Sequence, residues 1–293
     1  MSIASEPLPY PTHLDLPHTD DEPVENYYQP IQSWLLLDTL NSHLPQIHPD
    51  GNYSLGADSG IYFRRTTPPL LGCRAPDFFY VPGVPKLLDG LPRRSYVMWA
   101  EGVRPLLVIE YVSGNGSVER DTTPDTGKFW IYEREIQAKY YLIWNPDSEQ
   151  LDAFELSDGR YEPMLANAVG RFPIPEMDVE FGIWDGVFDE TPSLWLRPWT
   201  TEGELIPCSV EAKVEAEALV ESLRRKGNAD RRKAESEKQR ADAEKQRAES
   251  EKQRAESEKQ RADAEQQRAE NERAAKERLA AKLRELGLDP DSL

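Results

Sequence analysis

The chain is 293 residues long and carries 53 Asp and Glu against 35 Lys and Arg, a formal net charge of −18. The imbalance lies before residue 208: residues 1–207 hold 32 acidic and 14 basic side chains, whereas the last 86 residues hold 21 of each and none of the 7 Trp, 12 Tyr or 8 Phe. A segment with 42 charges and no aromatic ring cannot build its own core, which excludes two folded domains and leaves one globular domain of roughly 200 residues with a charged tail.

Residues 1–24 are rich in Pro, Asp and Thr and read as an extended arm. They carry neither a basic nor a long apolar region, so no signal peptide is expected and the chain reads as cytoplasmic. A helix is predicted from Glu25 to Leu44, with Trp34, Leu35, Leu37, Leu40 and Leu44 at helical spacing and Pro45 stopping it. Strands are predicted at Ile61–Arg64, at Asp77–Val81 between two prolines, at Ser95–Trp99 and at Leu106–Val112. The longest apolar runs, Trp34–Leu37 and Leu106–Ile109, are far too short to span a bilayer.

The Ser113-Gly-Asn-Gly-Ser117 segment is a loop without the spacing of a phosphate-binding loop. A helix follows from Thr126 to Gln137, burying Phe129, Trp130, Tyr132 and Ile136. Tyr140–Trp144 and Leu151–Leu156 pair as a hairpin, and the Pro-, Gly- and Trp-rich stretch Phe172–Trp199 packs against one side of the sheet. This order implies an α/β or α+β domain with a mixed sheet over residues 25–207. Cys73 and Cys208 form no disulfide framework, and no Cys/His cluster suggests zinc.

From Ala234 the tail repeats AESEKQR and close variants with a strict period of seven. Residues 208–293 are therefore expected as a charged heptad-repeat helix, either a solvated single helix or a coiled coil with an alanine seam. Exposed Glu–Arg pairs three and four residues apart support either form. The terminal Leu279, Leu283, Leu286 and Leu288 are suited to dock on a partner or on a second copy, which makes a homodimer through this helix an open expectation.

Three residues carry candidate chemistry: Asp77 at the start of a strand, Glu110 within the apolar run Leu-Leu-Val-Ile-Glu-Tyr-Val, and Lys128 at the start of the following helix. A carboxylate in such a strand is costly unless paired or bound to a metal. Two carboxylates on neighbouring strands make a hard oxygen site suited to Mg²⁺ or Mn²⁺, and a nearby lysine can orient or deprotonate a water and stabilise charge on a phosphate. Each residue also has a plainer reading. Pro76-Asp77 is an ordinary turn dipeptide, Glu110 pairs with Arg64, Arg74 or Lys128, and Lys128 is a solvated first-turn residue. His13, His18, His43 and His48 lack metal-ligand company.

The segments Ala75–Val81, Leu107–Ser113, Gly127–Glu133 and Tyr140–Pro146 resemble the Uma-two family, bacterial proteins with the PD-(D/E)XK restriction-endonuclease-like fold. The resemblance covers roughly residues 20–200. It implies Asp77 and Glu110 as metal ligands and Lys128 in place of the usual E-x-K lysine, a position held here by Val112. It also points to Asp121 as a recurring acid without an assigned role, and to Glu25 as a candidate acid on the first helix. The implied function is divalent-metal-dependent hydrolysis of nucleic acid, DNA foremost. The competing expectation is a nuclease-like scaffold whose tail mediates protein interaction. Arg64, Arg65, Arg74, Arg93, Arg94, Arg104 and Arg120 would have to gather at Asp77 and Glu110 for nucleic acid to approach so acidic a domain.

Overall fold

The computed structural model describes residues 11, 12, 15, 16, 27–112 and 114–285. Glu25, nearly all of the N-terminal arm, Ser113, Leu286 and Leu288 lie outside these residues. The chain divides into two units, Met1–Glu215 and Ala216–Leu293.

Helix α1 spans Tyr28–Ile47. It runs through Pro45 instead of stopping before it. Proline forfeits a backbone donor and crowds the preceding turn, and here only two helical residues follow. The helix turns Leu36, Leu40 and Leu44 to the core and leaves Trp34 half exposed. Strands β1 (Tyr53–Gly56), β2 (Ile61–Tyr62), β3 (Cys73–Arg74), β4 (Phe78–Pro82) and β5 (Tyr96–Val97) follow, then a single turn α2 (Met98–Glu101) and β6 (Leu107–Tyr111). The strands predicted at residues 61–64 and 95–99 are thus two residues long each. Phe63 and Arg64 both donate to the Gly72 carbonyl, and the chain coils at Met98.

After β6 come α3 (Lys128–Ile131) and, continuous with it, a π-helical turn over Tyr132–Ile136. The single α-helix predicted for residues 126–137 is therefore a shorter and wider structure. Strands β7 (Tyr140–Asn145), β8 (Gln150–Ser157) and β9 (Arg160–Pro163) complete the main sheet, in the order β1-β4-β6-β7-β8-β9. Only β6 and β7 are parallel within it; its other pairs are antiparallel. Strands β2, β3 and β5 form a small separate sheet. The stretch expected merely to pack against the sheet is itself an antiparallel sheet of β10 (Phe172–Ile174), β11 (Val179–Phe188) and β12 (Thr191–Thr200). Helix α4 runs from Ser209 to Glu285, with no buried residue along it.

Strand alternation sorts the core into two layers. Phe78, Tyr80, Leu107, Ile109 and Tyr111 face α1 and the β10–β12 sheet. Phe79, Val81, Val108 and Val112 face the opposite way, against Ile131, Tyr132 and Ile136. The same alternation sends Glu110 toward α3 and its π-turn. No helix among the described residues is long and apolar enough to cross a membrane.

Candidate active site

Antiparallel pairing of β4 with β6 sets Phe78 opposite Ile109. One residue further along, Asp77 stands opposite Glu110 on the face toward α3. Glu110 is 1% exposed. Its two oxygens accept hydrogen bonds from Lys128 Nζ at 2.9 Å and from the Tyr132 hydroxyl. Asp77 Oδ2 accepts the Tyr111 backbone N–H at 2.5 Å, and the two carboxyls are close enough to share a hydrogen bond. The structure brings Asp77, Glu110 and Lys128 together, as expected from the sequence.

Burial, and then the Glu110 carboxylate, push the Asp77 carboxyl up to about 8, against the opposing pull of the Tyr111 N–H and Lys128. Burial draws the Lys128 ammonium down, but Glu110, Asp77 and Glu119 outweigh it and hold it above the ordinary lysine range. The Tyr132 hydroxyl, fully buried and beside Glu110, sits well above its usual value. Burial first, and the neighbouring Glu110 carboxylate second, thus favour the protonated forms of Asp77 and Tyr132.

Helix α1 supports the floor of the site: Ser33 Oγ donates to the Asp77 carbonyl at 3.1 Å and lies 3.2 Å from the Tyr111 hydroxyl. The segment before α3 supports Lys128. Asp121 accepts the Thr123 N–H and hydroxyl, and its carbonyl accepts the Trp130 N–H. The recurring acid is therefore a clamp on the turn that launches α3. Gly127 permits this approach, since a Cβ there would lie 2.2 Å from the Asp121 carbonyl oxygen.

Tyr132 and Ser33 were missed as site residues. Tyr132 follows Lys128 by four residues, the spacing that stacks side chains on one helical face, but its place among Phe129, Trp130 and Ile136 made it read as core. Ser33 carries no signal in the sequence.

The family model of Uma2, described as "putative restriction endonuclease", matches residues 28–189. The chain belongs to the Uma2 family. A crystal structure of a "putative nuclease belonging to DUF820" from Anabaena variabilis is similar at 13% identity and a TM-score of 0.35, over 53% of this chain and 76% of that one. No curated protein matches the chain.

In this Uma2 member the residues suited to a divalent cation are Asp77 and Glu110. Among the described residues no group of three or more His, Cys, Asp or Glu could hold a metal. Two carboxylates nevertheless fit Mg²⁺, which is commonly held by one or two acids with water and substrate phosphate completing its shell. Burial and the adjacent Glu110 together disfavour the Asp77 carboxylate, and a cation there would offset both.

The arginines gather only in part. Arg64 pairs with Asp125 at 3.1 Å and Glu135 at 3.6 Å, and Arg74 donates to the Thr126 carbonyl, so both reach the turn just ahead of Lys128. Arg93 is locked to Glu101, Arg120 to Asp152, and Arg104 to Gln137. Lys128, rather than Arg64 or Arg74, is the cation paired with Glu110.

Proposed function

We propose that the Met1–Glu215 unit is a divalent-metal-dependent nuclease acting on nucleic acid, with DNA as the first substrate to test. The observation that carries this reading is the cross-strand pair Asp77–Glu110 with Lys128 bonded to one of its members. Asp77 and Glu110 would hold Mg²⁺ or Mn²⁺, which supplies Lewis-acid polarisation of the scissile phosphate. Lys128 is already charged, so its part is to orient water and to neutralise the phosphate as negative charge grows in the transition state. Tyr132 fixes the Glu110 carboxylate by donating to it. Asp121 and Gly127 set where Lys128 emerges.

Calorimetric titration with Mn²⁺ tests this directly. Wild type is expected to bind and Asp77→Ala not to, with cleavage of DNA lost in Asp77→Ala and Glu110→Ala while the fold persists. Unchanged Mn²⁺ binding in both variants refutes the ligand assignment.

One observation favours the second reading, a nuclease-like scaffold for protein interaction. Arg93 and Arg120 are neutralised by acids within the fold, in a region that is already strongly acidic. Wild type that binds neither Mn²⁺ nor DNA, alone or together, would establish that reading over the first.

A further inference from the structure

The tail helix presents an unpartnered face whose pattern specifies an occupant. We infer that α4 pairs with a second copy of itself as an antiparallel two-stranded coiled coil, in a register that sets Leu223 against the partner's Leu283. This inference is independent of the nuclease reading.

Counting in sevens from Val220 reaches Ala234, then every seventh residue to Ala269, then Lys276 and Leu283. The other seam position of the same heptad is Leu223, Asp230, then Glu237 and every seventh residue through Glu272, then Leu279. The seam therefore keeps one phase for nine heptads, ending in leucine at both extremes. Leu223 is 59% exposed and Leu279 62% exposed in the single chain. The residue after each seam glutamate is Lys from Lys238 to Lys259, and an Arg precedes each alanine from Ala241 to Ala269. Basic side chains thus border the acidic seam on both flanks.

Chain direction follows from which layers this seam creates. A parallel, in-register pair stacks each seam position on itself. Glu would meet Glu in six layers, with Asp230 meeting Asp230 and Lys276 meeting Lys276. An antiparallel pair instead alternates the two positions. With Leu223 on the partner's Leu283, Gly227 receives the partner's Leu279 and Asp230 meets the partner's Lys276. Every glutamate from Glu237 to Glu272 then faces an alanine. All the like-charge layers vanish, and the smallest side chain in the seam lies under a leucine. A glycine inside an exposed helix is destabilising relative to alanine, and a large knob seated over Gly227 explains its place there.

The test uses full-length chains carrying Gly227→Cys or Leu279→Cys, each with a different affinity tag; the native Cys73 and Cys208 are buried. In the antiparallel pair a short bismaleimide joins Gly227→Cys chains to Leu279→Cys chains and does not join Gly227→Cys chains to one another. Those two Gly227 positions stand roughly 80 Å apart at about 1.5 Å per residue. Sedimentation equilibrium is expected to show a dimer, weakened about tenfold by Asp230→Lys and restored by adding Lys276→Asp. Gly227-to-Gly227 cross-linking, or a monomer at tens of micromolar, overturns the inference.

Discussion

Asp77 and Glu110 face each other across an antiparallel strand pair, one residue beyond the Phe78–Ile109 register, on the face of the sheet that packs against α3. Like charges directly opposite one another destabilise a sheet, so the pair acts against the fold unless a proton or a cation intervenes. A neutral amide at position 77, which needs neither to take up a proton on burial nor to oppose Glu110, should therefore stabilise the metal-free protein. Asp77→Asn is expected to melt roughly 2–4 °C higher than wild type without divalent metal, a gain of about 1 kcal/mol for a domain of this size. Added Mn²⁺ should raise the melting temperature of wild type but not of Asp77→Asn. Differential scanning calorimetry reads both, and a lower melting temperature for the metal-free variant would contradict the charge conflict.

Tyr132→Phe removes the hydroxyl that donates to Glu110 while keeping the ring in its aromatic cluster with Tyr141. Outer-shell partners of metal ligands typically change affinity or activity by about 10–100-fold. Mn²⁺ affinity should fall within that range with little change in circular dichroism. An unaltered affinity would return Tyr132 to a purely packing role.

Gly127→Ala forces a Cβ against the Asp121 carbonyl, so the turn ahead of α3 must open and carry Lys128 with it. Cleavage should fall at least tenfold, whereas Mn²⁺ binding through Asp77 and Glu110 should be largely kept. Equal losses of both would show that the turn supports the carboxylates as well.

At the root of α4, Arg197 is fully buried and pairs with Glu211 through both carboxylate oxygens, at 2.8 and 2.7 Å. Glu211 also accepts the Cys208 N–H, as in a capping box. Burial alone would raise the Glu211 carboxyl, but Arg197 and the Cys208 N–H hold it below its ordinary value of 4.5. A depressed carboxyl contributes stability that is present above the unfolded value and lost as pH falls through the folded one. Acid should therefore loosen this junction below about pH 4.5. Glu211→Gln should remove that acid step and destabilise at neutral pH by about 1–3 kcal/mol, because Arg197 keeps its charge. Urea unfolding at pH 7 and pH 4 measures both effects.

The site residues were legible because their chemistry conflicts with their setting: an acid within Leu-Val-Ile-Glu-Tyr needs a reason. Their relationship was not. The β4–β6 register depends on how residues 83–106, which carry β5 and α2, return to the main sheet. The π-turn was hidden because Ile136 continues the apolar pattern of an ordinary helix, and only the backbone shows the widening at Tyr132. Strands β10–β12 were obscured by prolines that edge positions tolerate; Pro192 and Pro198 both lie on β12, at the edge of its sheet. Helix α1 was read correctly in kind but ended too early, because proline weighs less in a final turn than in mid-helix.

The Lys128–Glu110–Tyr132 contacts also bear on how such a protein can change through descent. Every polar atom of Glu110 finds a donor from its own chain, so the domain needs no ion to stay folded. Selection on the fold and selection on cleavage are then separable. On the nuclease reading, a lineage could lose Arg64 or Arg74, neither of which is bonded to Glu110, and keep an intact domain, free to be retained for another role. On that reading, an active nuclease and a scaffold would differ by only a few substitutions.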